Sequence, residues 1–477
     1  MDFEQIIGLE VHCELKTHSK MFSGSPVTFG EDVNTNVNEI DIGMPGTLPS
    51  LNKRAVEFAI RVCYALHMDI DELLCFDRKN YYYSDLPKGF QITQERRPLG
   101  KNGYIDIDVD GHIKRVEITR LHLEEDTAKQ FHLEDYSLID YNRAGIPLIE
   151  VVTEPCLRNS HEAVAYLEKL RQIFLYTDVS DARLEEGSMR CDINISLRPH
   201  GSQNLGVRTE IKNLNSISHV QKAIEYEALR QERILKEGKK VLQETRRYDE
   251  DLKETVLMRK KDDVIDYKYY PEPNILPVRL DHQWVLSICN KLPMMPDDRK
   301  SIYINEHGLS MNDANVLIDD KQLSDFYERT IQFCQEYELI CHWLLGDVSA
   351  YLNKYHATLN KTYLLPERLA KMICFIQDGT ISSKQAKKVL EFLMKENKDP
   401  EIIIEENGWK QISDTHFLLK IIQEVLDEYP QSVQDYVDGK DRAIGFFVGQ
   451  VMKQTKGRAN PQMTNQILLD LLKERKL

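Results

Sequence analysis

The hydrophobic period of this chain changes once, near residue 290, and that change limits the folds open to it. Before it, apolar and polar residues alternate through Ile6–Leu15, Tyr104–Val109, Ile113–Leu123, Met189–Leu197 and Val207–Asn213. This period of two marks strands with one buried face. Helical spacing interrupts at Lys53–Leu66, Ser160–Tyr176 and Ser218–Glu237, the second opened by Asn159-Ser160 with Glu162 as a capping-type start. The run from Tyr269 to Pro277 includes Pro271, Pro273 and Pro277, so it cannot be helical, and it closes the first domain. Beyond it helical periodicity continues to the end, broken at Gly308, Gly379, Gly408 and Gly439. The pattern predicts an α+β chain. A mainly antiparallel β domain with inserted helices covers 1–292, an all-α domain 293–407 and a small helical tail 408–477, the last cut falling at the Asn407-Gly408 turn signal.

The side of each strand that is polar carries the chemistry. In Leu9–Leu15 the even positions place Glu10, His12 and Glu14 on one face. In Met189–Leu197 that face holds Arg190, Asp192, Asn194 and Ser196, and in Val207–Lys212 it holds Arg208, Glu210 and Lys212. Leu121-His122-Leu123-Glu124-Glu125-Asp126 runs into a carboxylate cluster. An antiparallel sheet with one solvated face alternates in the same way. These residue types, however, are ligands for a hard cation and donors to phosphate, and together they suit a Mg²⁺-nucleotide site. No G-x-x-x-x-G-K-[ST] or strand-linked G-x-G-x-x-G is present, so any ATP binds without a P-loop. Two polar-aromatic loops, Asp77–Gln91 and Asp140–Glu150, are further candidates for function.

Charge is unevenly spread. The chain has a net charge of −15, which argues against general adhesion to nucleic acid or anionic membranes. Residues 440–477 nevertheless hold eight cations against three anions, leaving −20 on the rest. A helix over Gly445–Lys453 and a turn over Lys456–Pro461 would present Lys453, Lys456 and Arg458 to an RNA backbone. The nine cysteines form no C-x-x-C pair and mostly sit among apolar neighbours. That fits reduced thiols in a cytoplasmic protein. No apolar run is long enough to span a membrane, and the acidic N-terminus does not look like a targeting peptide.

Several ordered runs resemble the B subunits of aspartyl/glutamyl-tRNA amidotransferases (the GatB/GatE family) across essentially the whole chain. They are Ile7–His12, Asn80–Gln94, Thr119–Asp126, Asp140–Glu150, Leu184–Asp192, Thr209–Ser216, Gln243–Arg246, Asp266–Pro273 and Gly449–Pro461. The resemblance implies a β-rich cradle, a helical domain and a helical tail that holds the tRNA elbow. It implies a protein that binds Glu-tRNA(Gln) or Asp-tRNA(Asn) and uses ATP and Mg²⁺ to phosphorylate the side-chain carboxylate. Ammonia from a partner amidase (glutaminase) subunit would then complete Gln-tRNA or Asn-tRNA, a small third subunit tethering the pair into a heterotrimer. On this reading Glu10, His12, Glu125, Asp192 and Glu210 would hold Mg²⁺ directly or through water. Arg190 and Lys212 would pair with phosphate oxygens, and Lys79, Lys88 and Tyr82 would line the path of ammonia.

One departure stands out. Many relatives carry four zinc-binding cysteines near the N-terminus, where this chain has Ser23, Ser25, Asn38 and Asp41. No structural zinc is therefore expected. The competing expectations are a non-catalytic tRNA-holding scaffold, for which the polar face is only a solvated surface, and a stand-alone RNA-binding protein, which the overall acidity disfavours.

Overall fold

The computed structural model describes residues 2–260, 266–411, 415–437, 440, 442–455 and 458–474. It divides into two compact units, Met1–Pro296 and Asp297–Leu477. The predicted α+β class holds: among the described residues the strands lie in the first unit, and the second is built of helices joined by turns and loops.

Nine strands of the first unit form one sheet. They are β1 (Phe3–Glu14), β2 (Asp69–Ile70), β3 (Gly100–Val109), β4 (His112–Glu125), β5 (Pro147–Thr153), β6 (Met189–Pro199), β7 (Thr209–Lys212), β8 (Glu244–Asp249) and β9 (Glu254–Lys260). Their spatial order is β9-β8-β7-β6-β1-β5-β4-β3-β2. Every neighbouring pair is antiparallel except β7 and β8. A parallel pair needs a crossover, and α3 (Ile217–Lys236) provides it. Helices α1 (Lys53–Ala65), α2 (Ser160–Tyr176) and α3 bury one face of the sheet. Leu9, Val11, Cys13, Leu121, Leu123, Ile149, Val151, Cys191, Ile193 and Ile195 form the sheet side of that core. Fully burying each such Leu or Ile contributes roughly 1.5–3 kcal/mol relative to exposure. The predicted capping start of α2 is present: Asn159 Oδ1 accepts from the Glu162 amide at 2.9 Å.

With the apolar face committed to the helices, the polar face is fixed by register. His12 of β1 lies opposite Arg190 of β6 and Glu150 of β5, and Glu150 lies opposite His122 of β4. Directly opposed antiparallel residues share a face. One row across four strands therefore reads Arg190, His12, Glu150, His122. The next row places Glu10 opposite Asp192. A small separate sheet pairs Tyr270–Pro271 with Asp77–Asn80 and the latter with Phe90–Thr93. The proline-rich segment thus returns to the β unit as a short strand, and Arg78 fixes it by donating to Glu272 at 3.1 Å.

In the helical unit, buried side chains from Tyr303 to Ile404 form one cluster and those from Leu418 to Leu472 another. Gly308, Gly379 and Gly408 interrupt the helices in left-handed conformations (φ +71°, +73° and +62°), which is where glycine ends a helix at least cost. Gly439 lies outside the described residues. Among the described residues, no helix is long and apolar enough to cross a membrane.

Candidate active site

The polar face of the sheet floors a cavity of about 410 Å³. Lys79 and Gln91, register partners in the small sheet, form part of its wall, and Asn213, Leu214 and Asn215 after β7 form another part. At its floor His12 Nε2 lies 3.3 Å from Glu150 and 3.7 Å from Glu124. His122 Nε2, fully buried behind them, lies 3.3 Å from Glu150 and 3.5 Å from Glu124. One ligand atom from each of His12, Glu124 and Glu150 falls within 4.8 Å of the others, the spacing of a cation site.

The electrostatics follow from burial plus crowding. Burial alone would raise the Glu150 carboxyl, but the imidazoles of His122 and His12 outweigh it and hold it well below the usual range. Burial likewise opposes charge on His122, yet Glu150 and Glu124 push that ring up to about 9. His12 is raised in the same way, against its own burial. Protons on two imidazoles and a divalent cation are alternative ways of neutralising these same carboxylates. The oxygen-rich donor set fits Mg²⁺.

A second group adjoins the first. Asp192 holds Lys212, which also lies 3.3 Å from Glu210. Burial would lower Lys212, but Asp192 and Glu210 drive it above the ordinary lysine range. Glu10 accepts from Asn194 at 2.8 Å. Burial and then Glu150 raise its carboxyl. Arg190 donates to Asp126 at 2.6 Å, with Arg143 3.6 Å from the same carboxylate.

The structure sorts the predicted residues. His12, Asp192, Arg190, Lys212 and Lys79 line the cavity. Glu10 faces a recess of about 230 Å³ on the same sheet face, and Glu210 is buried beside Lys212. Glu125, Lys88 and Tyr82 are not brought to the cavity lining. On β4 the pocket-facing carboxylate is Glu124, because it shares parity with His122, whereas Glu125 follows Leu121 and Leu123 to the opposite face. There Glu125 accepts from Lys88 at 2.6 Å and from the Ile92 amide at 3.0 Å. Tyr82 is 97% exposed, and it is Tyr81 that lines the cavity beside Lys79. Sequence reasoning also missed Glu150 and His122. Glu124 and His122 were legible from the period of β4, but Glu150 ends a loop-to-strand run whose register the sequence does not show.

Ser23, Ser25, Asn38 and Asp41, the positions at which the resemblance implies cysteines in many relatives, offer no thiolate or imidazole here. Asp41 instead accepts from Ser23 at 2.6 Å, from Ser25 at 2.5 Å and from the Asn38 amide at 3.0 Å. Lys20, fully buried, approaches Asp41 at 3.4 Å and donates to the Tyr141 carbonyl at 3.2 Å. In the tail, Lys453 occupies the last turn of the Arg442–Gln454 helix, and both it and Arg458 are exposed. Lys456 lies outside the described residues.

The chain is similar to known proteins over its whole length. Residues 5–286 match the family described as GatB/GatE catalytic domain, and residues 325–472 match the GatB domain. The chain is 54% identical over 476 residues to the B subunit of the aspartyl/glutamyl-tRNA(Asn/Gln) amidotransferase of Oceanobacillus iheyensis, covering all of both chains. It is 53% identical over 475 residues to the same-named protein of Staphylococcus aureus (strain JH9), again covering all of both. With a catalytic-domain match over residues 5–286 and 54% identity along its full length to a B subunit, this chain belongs to the GatB/GatE family of amidotransferase B subunits.

Proposed function

We propose that this chain carries the ATP-dependent step of a glutamine-dependent tRNA amidotransferase, phosphorylating the side-chain carboxylate of Glu-tRNA(Gln) or Asp-tRNA(Asn). A carboxylate oxygen bonds to the γ-phosphorus of ATP as the bond to ADP breaks. Ammonia then bonds to the acyl carbon, and phosphate leaves. The observation that carries this reading is the row Arg190, His12, Glu150, His122, with Glu124 beside it, across one cavity. Phosphoryl transfer asks for positioning and charge neutralisation more than covalent help. A bound Mg²⁺ would supply the positive charge that the transferring group needs.

His12, Glu124 and Glu150 would hold that cation, with Glu10, Asp192 and Glu210 as a second acidic set toward the nucleotide. Lys212 and Arg190 would pair with phosphate oxygens, exchanging a carboxylate partner for a phosphate one. Lys79 and Tyr81 sit on the cavity wall, and the Lys88–Glu125 pair with Tyr82 lies on the route we assign to ammonia. Ammonia would come from the amidase (glutaminase) partner, with the small third subunit completing the heterotrimer in the cytoplasm. Residues from about 408 onward form the RNA-holding tail, with Lys453, Lys456 and Arg458 against the tRNA backbone.

The test is reconstitution with the partner subunits, misacylated tRNA, ATP and glutamine, leaving out each in turn. Glu124→Gln should abolish γ-phosphate transfer to Glu-tRNA while tRNA still binds. Undiminished transfer would leave the chain a tRNA-holding scaffold.

A further inference from the structure

The segment Gln243-Glu244-Thr245-Arg246 has no part in the chemistry described so far. It opens β8, the strand that lies parallel to β7, with Thr245 directly opposite Glu210. Its side chains divide between the two faces of the sheet. Glu244 and Arg246 turn toward α3: Arg246 donates to Glu244 at 2.7 Å and to the Thr255 carbonyl at 2.7 Å. There they meet Glu227, a fully buried carboxylate that accepts from Arg230 at 2.7 Å, Gln231 at 2.9 Å and Thr255 at 2.8 Å. Gln231 also donates to Thr209 Oγ1 of β7 at 3.1 Å. This network clamps β7, β8, β9 and α3 together on the core side.

Thr245 points the other way, and it is 1% exposed. Its hydroxyl lies 2.9 Å from Glu210 Oε2. Arg259 Nε approaches the same hydroxyl at 3.4 Å. Arg259 can only donate, so the Thr245 proton is directed at Glu210. The other oxygen of Glu210 lies 3.3 Å from Lys212 Nζ, and Lys212 is held by Asp192 on the cavity wall. A buried carboxylate with a fixed donor on one oxygen has one orientation left for the other.

We propose that Thr245 is a positioning residue. Its hydroxyl fixes the Glu210 carboxylate so that Lys212 is presented to the phosphate of the nucleotide, and the Glu227 network holds the strand that carries it. This rests on the phosphoryl-transfer reading given above.

A double-mutant cycle in the full chain, reconstituted with its partner subunits, tests it. The readouts are phosphoryl transfer to misacylated tRNA, Mg²⁺·ATP binding by calorimetry, and thermal unfolding. Thr245→Val keeps the shape and removes the hydroxyl, and Thr245→Ser keeps the hydroxyl. Thr245→Val should weaken Mg²⁺·ATP binding or slow transfer roughly tenfold, and Thr245→Ser should stay within about threefold of the native chain. In a Glu210→Gln background the further loss on Thr245→Val should shrink to about twofold or less. Equal losses in both backgrounds, or a serine variant as impaired as the valine one, would overturn the proposal. If the valine variant does not fold, Thr245→Ala is read by the same criteria. Native rates and binding in Glu210→Gln would sink the reading of the site itself. Loss in Glu210→Gln with an intact Thr245→Val would sink only the role of Thr245.

Discussion

Two of the buried acidic centres of the β unit are completed in opposite ways. Asp41 is surrounded by protein donors: two serine hydroxyls, a main-chain amide and the ammonium of Lys20. Glu150 and Glu124 face imidazoles, and among the described residues no Lys or Arg forms an ion pair with either. Both centres are close to fully buried. A saturated buried carboxylate works as a structural member, because every charge and lone pair around it is answered. A carboxylate cluster answered by titratable rings and a single hydroxyl, that of Thr93 at 3.3 Å from Glu124, keeps a strong field in its cavity, and such fields gather at functional sites. The contrast separates a fastening from a binding site by counting donors.

That contrast can be broken, and the largest effect is expected at the fastening. Asp41→Ala leaves the ammonium of Lys20 buried without its carboxylate and should cost roughly 4 kcal/mol in urea unfolding. Lys20→Met in the same chain should recover about half of this. A single-variant loss below about 1 kcal/mol would mean that Asp41 is not the member described here.

Glu150→Gln should behave in the reverse sense. Phosphoryl transfer should fall on the order of 100-fold, while stability changes by less than about 1 kcal/mol. An unfolding midpoint as low as that of Asp41→Ala would erase the distinction. Dialysis against EDTA sharpens the same point: transfer should stop and return with Mg²⁺, and elemental analysis of the native chain should find zinc far below one equivalent.

His122→Asn probes how the carboxylates are aimed. Among the described residues only Nε2 of that ring faces acceptors, and its Nδ1 has no partner. Neutral or charged, the ring therefore keeps a proton on Nε2. Losing it should weaken Mn²⁺ binding about tenfold, measured by electron paramagnetic resonance, with a smaller effect on stability. Unchanged Mn²⁺ affinity would remove His122 from the site. Ser25→Ala is the mildest case. It removes one of several donors to Asp41 and should cost about 1 kcal/mol with native activity. A loss of several kcal/mol would make Ser25, rather than Asp41, the centre of the fastening.

Much of this architecture was legible in the sequence. The α2 boundaries, Ser160–Tyr176, agree to the residue, because a capping asparagine and a clean apolar stripe mark them. The expected strand Ile6–Leu15 became Phe3–Glu14, and Val207–Asn213 shortened to Thr209–Lys212. Strand ends depend on where the partner strand stops, and a single chain does not display that. The same limit governed the site. Alternation put His12, Arg190, Asp192 and Lys212 on the correct face, since parity is a local property. Glu125 and Glu124 look equivalent as adjacent carboxylates until the strand's own parity is applied through His122. Glu150 needed the register between β1 and β5, which is set by contacts nearly 140 residues apart in the chain.

The position of β1 has a consequence for synthesis. This first strand carries Glu10 and His12, yet it lies in the interior of the sheet, between β5 and β6, and pairs as far along the chain as Pro199. At roughly 5–20 residues per second the ribosome needs on the order of ten to forty seconds before both neighbours exist. Through that interval an apolar strand edge has no native partner, the kind of segment that chaperones shield and that aggregates when they do not. Prematurely terminated chains that stop before β6 would hold His12, Glu124 and Glu150 without Arg190, Asp192 and Lys212 and with one edge of β1 unpaired, so incomplete synthesis yields no complete site.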